Sequence, residues 1–182
     1  VLDLRYADGG DYAAVLPAVG MFLSAERELL DWGSGVQKAL PAAKPYSQPV
    51  AVLMNRETTG AAEALAACLR EAGVALLLGQ NTAGVAALME DFPLKSGRFL
   101  RIATLPVKLA NGVPLSPQGL NPDIEVTVKG EDERSYLDAL GATFRSWLYD
   151  GTWTPYGYAF DVGLTTYMAL EGLSPEAGAR AS

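Results

Sequence analysis

Apolar and polar positions change period several times along this chain, and each change marks an element. Val1–Arg5 is a short strand of alternating character that ends in the turn Asp8-Gly9-Gly10. Val15, Leu16, Val19 and Phe22 recur at helical spacing, which predicts a helix over roughly Tyr12–Leu23. Ser24–Gln48 is broken by Gly33, Gly35, Pro41 and Pro45 and reads as an irregular excursion with one short helix or strand pair. Pro49–Met54 is a continuous apolar run between turn residues, the pattern of a buried parallel strand. Ala61–Ala72 is an alanine-rich helix with Gly73 as its stop, followed by a second buried strand over Val74–Leu78 and then Gly79. Strand, helix and strand at this spacing predict a right-handed βαβ unit.

Further strands are expected at Phe99–Thr104 and Ile124–Val128, with a turn at Asn111-Gly112 and a loop marked by Pro114 and Pro117. Beyond Gly130 the pattern changes. Glu131–Tyr149 reads as an amphipathic helix, and the tail after Asp150 is rich in glycine and aromatics. Residues 1–128 are therefore expected to form a core domain, with residues 129–182 a helix and tail packed on it. Any cover that the tail provides is left open by the sequence.

Composition narrows the chemistry. The chain has 182 residues, 49% hydrophobic and 19% charged, which suits one globular core. Its formal net charge of -7 and the lack of basic clusters argue against a nucleic-acid partner. The chain contains no histidine, so Ser-His-Asp and Cys-His catalysis and His-based zinc sites are excluded. A single cysteine, Cys68, rules out an intrachain disulfide and reads as a buried, inert thiol on the apolar helix face. No cofactor or metal is expected. No apolar run reaches the length of a membrane span, and no signal segment is visible in these residues, which says little about compartment.

Four segments occur in order: Val1-Leu2-Asp3-Leu4-Arg5 leading to Gly9-Gly10; Asn55 through Glu63; Gly79-Gln80-Asn81-Thr82-Ala83-Gly84; and Gly119-Leu120-Asn121-Pro122-Asp123. Together they resemble the C-terminal processing peptidases, the tail-specific proteases of family S41. The resemblance covers about Val1–Val128 and implies an α/β fold, the superhelix of β-β-α units shared with Clp-type proteases and crotonases.

It also implies a serine nucleophile, a neutral lysine base and glycine N–H groups as an oxyanion hole. On this chain the serine position falls on Gly60, the lysine position on Val85, and the glutamine that orients the lysine in some members on Met89. Nucleophile, base and orienting residue are absent together, so no catalytic residue is assigned. Gly9, Gly10 and Ala61 are the oxyanion-hole backbone candidates, and Thr58, Thr59 and Glu63 the groove candidates. At Gly60 the residues themselves favour a helix N-cap, with Glu63 reaching back to it. Lys95 and Lys108 lie in other segments and are expected at the surface.

The expected function is a non-catalytic S41 domain, a pseudopeptidase that binds an extended polypeptide or a protein C-terminus, or serves as a scaffold. The alternatives are an active serine-type endopeptidase and, more weakly, a crotonase-like acyl-CoA enzyme. A homo-oligomer is compatible with the aromatic tail. Compartment is undetermined by the residues; the resemblance implies a periplasmic or secreted protein.

Overall fold

The computed structural model describes residues 1–139. The chain divides into two compact units between Val126 and Thr127. The first contains nine strands and two helices: β1 (Leu2–Asp3), α1 (Val15–Gly20), β2 (Arg27–Asp31), β3 (Gln37–Ala39), β4 (Val50–Met54), α2 (Ala61–Glu71), β5 (Ala75–Gly79), β6 (Ala87–Pro93), β7 (Phe99–Pro106), β8 (Lys108–Leu109) and β9 (Ile124–Glu125). In the second, residues 130–139 are helical as far as described. That helix agrees with the start of the amphipathic pattern. The remainder of that pattern, and the aromatic tail, lie outside the described residues.

A parallel sheet in the order β1-β4-β5-β9 forms the centre of the first unit. Its middle strand β4 runs buried–half-buried–buried, and β4 and β5 are in register from Val50 opposite Ala75 to Met54 opposite Gly79. This is the predicted βαβ unit, with α2 as the crossover. α2 buries Ala62, Ala64, Ala66, Ala67, Cys68 and Leu69. Small side chains on that face allow close packing of helix and neighbours, and removing such area from water is worth about 25 cal/mol per Å².

A second, antiparallel sheet has the order β3-β2-β8. Thus the irregular excursion of the sequence resolves into its strand-pair alternative, β2 with β3. α1 is shorter than the periodicity suggests. Its chain leaves the helix after Gly20, where an added Cβ would lie 2.1 Å from the Leu40 carbonyl oxygen. β9 is also shorter than Ile124–Val128, since only two residues of it pair with β5.

The third sheet is the two-stranded ribbon β6-β7. Only β7 is visible in the sequence pattern. β6 carries Glu90-Asp91 and ends at Pro93, and these residues hide it.

Candidate active site

The loops after β1, β4 and β5 converge at the carboxyl ends of the parallel strands, the usual ligand side of such sheets. The first loop is fixed by Asn55 and Thr58. Asn55 Oδ1 accepts from the amides of Tyr6 (3.2 Å) and Glu57 (3.0 Å). Thr58 Oγ1 donates to the Leu4 carbonyl (2.8 Å) and accepts from the Asn55 amide (3.0 Å). Nearby, Asp3 and Arg5 form a local ion pair at 2.6 Å.

At the β4–α2 turn Gly60 has φ +59 and ψ −121. This left-handed, sharp strand-to-helix geometry is the type on which nucleophile elbows present a side chain. Here no side chain is present. An added Cβ would lie 2.2 Å from the Gly9 carbonyl oxygen, and that same oxygen accepts the Ala61 amide at 2.8 Å. Two of the three oxyanion-hole candidates, Gly9 and Ala61, therefore bond to each other in this structure. Gly10 is exposed.

Glu63 organises the rest. Its side chain is fully buried, and its two oxygens take four donors. Oε2 accepts the amides of Gly60 and Val85, each at 3.0 Å, and Oε1 accepts the Gly84 amide at 2.7 Å and the Thr82 hydroxyl at 2.5 Å. The bond to Gly60 is the reach back to the helix start expected of Glu63, and a carboxylate there also suits the helix dipole. The other three attach the loop after β5 to α2. Thr82 continues the chain of bonds, since its Oγ1 accepts the Leu120 amide at 2.8 Å. The Ala83 amide donates to the Thr58 carbonyl at 3.1 Å.

The structure thus brings Gly60 and Val85 together on one carboxylate oxygen. Val85 is 43% exposed and offers no titratable group. Met89 is 51% exposed on β6, beyond a register irregularity between Leu88 and Met89. Lys95 and Lys108 are exposed, as expected.

Of the groove candidates, Thr58 and Glu63 are both fully buried, with their polar atoms bonded within the chain. Thr59 is half-buried and its amide donates to the Ala7 carbonyl.

Sequence reasoning missed Thr82 and Tyr12. Thr82 stands inside a quoted segment, but its partner Glu63 is distant in sequence, so no spacing rule reveals the bond. Tyr12 is buried and its hydroxyl donates to the Ala87 carbonyl at 3.1 Å. Burial pushes its phenol pKa up, and the nearby Glu63 charge adds to the rise. Burial also raises the Cys68 thiol to about 12, with Glu71 contributing, which makes it the inert thiol expected. Among the described residues no cluster of His, Cys, Asp and Glu could hold a metal, and no helix is long and apolar enough to cross a membrane.

Parallel strands with glycine turns and a helix start at their carboxyl ends define a mixed α/β protein built on a parallel sheet. The chain belongs to peptidase family S41, whose sequence profile matches residues 1–126. It is 24% identical over 143 residues to the carboxy-terminal processing protease CtpA of Bacillus subtilis, covering 76% of this chain and 31% of that protein. It is 28% identical over 126 residues to a carboxyl-terminal-processing protease of Picosynechococcus, covering 68% of this chain and 30% of that one. Among solved structures, it resembles the photosystem II D1 C-terminal processing protease with a TM-score of 0.56 at 25% identity, over 69% of this chain and 33% of that chain. The chain spans less than a third of the curated relatives it matches.

Proposed function

We propose that this S41 domain is a pseudopeptidase that holds an extended polypeptide, or a protein C-terminus, without cleaving it. The observation that carries the reading is the pair Gly60 and Val85. The resemblance puts a serine and a lysine at these positions, and here they meet on Glu63 Oε2 with no hydroxyl and no amine between them. The Gly9 carbonyl further supports it, because that oxygen takes the Ala61 amide that an oxyanion would need. Extended peptide would be held by main-chain bonds and shallow apolar contacts, which need no proton transfer. Family membership and the names of the relatives favour the second reading, an active serine-type endopeptidase acting near protein C-termini.

The test is to titrate the full chain with labelled peptides bearing apolar C-termini, reading anisotropy for binding and mass spectrometry for products. Saturable binding with intact peptide supports the proposal. Cleavage that disappears when a residue of the β4–α2 turn is changed would establish the second reading instead.

A further inference from the structure

We propose that Asn111 is a site of self-modification: in the folded chain its side-chain amide closes onto the Gly112 nitrogen, and water reopens the ring as aspartate or isoaspartate. The chain has four asparagines, at 55, 81, 111 and 121. Ring closure needs a free N–H on the following residue, room around it and access for hydroxide. Asn121 precedes Pro122, whose nitrogen carries no hydrogen. Asn55 is buried, with Oδ1 accepting the Tyr6 and Glu57 amides. Asn81 donates to the Gln118 carbonyl and precedes Thr82, a buried β-branched residue whose own amide donates to the Leu120 carbonyl.

Asn111 meets all three needs. Asn111, Gly112 and Val113 are exposed at the tip of the turn after β8. Leu109 closes that turn: its amide donates to the Val113 carbonyl at 2.9 Å, and its carbonyl accepts the Gly112 amide at 2.8 Å. Asn111 Oδ1 accepts the Val113 amide at 2.9 Å. The hydrogen-bonded ring so formed contains both Asn111 Cγ and the Gly112 nitrogen, so the reacting atoms are already folded toward each other. The Val113 N–H also polarises the Cγ carbonyl and stabilises the negative charge that Oδ1 gains during attack. Gly112 has no side chain, and a Cβ there would meet open space, so nothing crowds Cγ or screens the nitrogen from solvent.

Hydroxide takes the Gly112 amide proton and becomes water. The nitrogen bonds to Asn111 Cγ, the bond from Cγ to Nδ2 breaks, and Nδ2 leaves as ammonia with a proton from water. A second water opens the five-membered succinimide. Breaking the bond from nitrogen to Cγ gives aspartate. Breaking the bond from nitrogen to the main-chain carbonyl carbon gives isoaspartate. Either product turns a neutral side chain into a carboxyl group, and isoaspartate adds a carbon to the main chain inside the turn. Leu109 lies opposite Leu30, and the Ala110 amide donates to the Leu29 carbonyl, so the change is passed to the β2–β8 pairing.

The experiment incubates the full chain at two mildly alkaline pH values, with a synthetic peptide of residues 107–115 as the clock. Peptide mapping by mass spectrometry follows the exchange of amide for hydroxyl at each asparagine, and enzymatic methylation detects isoaspartate. Hydroxylamine, which cleaves at a succinimide, should cut the chain between Asn111 and Gly112. The expected result is conversion of Asn111 on the timescale of the peptide, in proportion to hydroxide, with the other three asparagines unchanged. Gly112→Ala should slow it at least about tenfold by crowding the nitrogen. Asn111→Gln, which needs a larger ring and leaves Gly112 in place, should slow it as well. Circular dichroism reports whether each protein stays folded throughout. An intact Asn111 when the peptide is fully converted would overturn the proposal. So would conversion that occurs only in urea, or an equal rate in both variants and the parent.

Discussion

The carbonyl oxygen of Gly9 accepts the amide of Ala61 at 2.8 Å, across the turn from which α2 begins. The bond fills the place where a side chain at position 60 would start. Gly60→Ser and Gly60→Ala are therefore both expected to destabilise the fold, by about 2 kcal/mol or more, from left-handed strain and contact with that oxygen. Chemical denaturation measures it. A Gly60→Ser protein as stable as the parent would show that the Gly9 peptide swings aside at little cost.

For the same reason Gly60→Ser combined with Val85→Lys is expected to remain inert toward peptides. Restoring two side chains does not withdraw the Gly9 carbonyl. Single-turnover assays with a fluorogenic peptide test this. Measurable turnover would mean that only the side chains had been lost.

Glu63 gathers four donors in a site closed to water. Glu63→Ala leaves three amides and a hydroxyl without their acceptor, and the expected loss is on the order of 3 kcal/mol or more. The loop after β5 should loosen first, so hydrogen exchange at Gly84 and Val85 should accelerate more than at β4. Uniform acceleration would argue that Glu63 supports the whole core rather than this junction.

Thr58→Val keeps the shape and removes the hydroxyl. The Asn55 amide loses this buried acceptor while the Leu4 carbonyl keeps the Ala7 amide, so the expected cost is about 1–3 kcal/mol. Thr58→Ser retains both bonds and should lose much less. Equal loss in the two variants would mean that the methyl group matters as much as the two bonds.

Cys68 sets an alkaline limit. Its folded pKa is about 12 against an ordinary value of 9.0. The unfolded chain therefore releases the proton first, so stability is intact below pH 9 and falls as pH rises from 9 toward 12. Tyr12, also raised by burial, acts in the same direction. Cys68→Ala should flatten part of this decline, measured as melting temperature against pH. An unchanged slope would mean that other groups control it.

Much of this was legible from residues alone. The runs at Pro49–Met54 and Val74–Leu78, with an alanine-rich helix between them, have one reading each because period, length and flanking glycines agree. β6 escaped because acids and a proline interrupt it, and its strand character comes from pairing with β7. The strand pair β2–β3 was ambiguous because its glycines signal turns equally well in a loop. At the site, positions 60 and 85 could be found from local segments. The bonds that join them could not, since Glu63 reaches Thr82, Gly84 and Val85 through the fold.

Three of the four groups on Glu63 are main-chain amides, which every residue but proline possesses. The junction therefore depends little on what position 85 carries, and its half-exposed side chain can vary without dismantling the turn. Framework and reactivity are written in separate letters of the same segment. A chain built this way can change its chemistry, or abandon it, one substitution at a time while keeping its architecture.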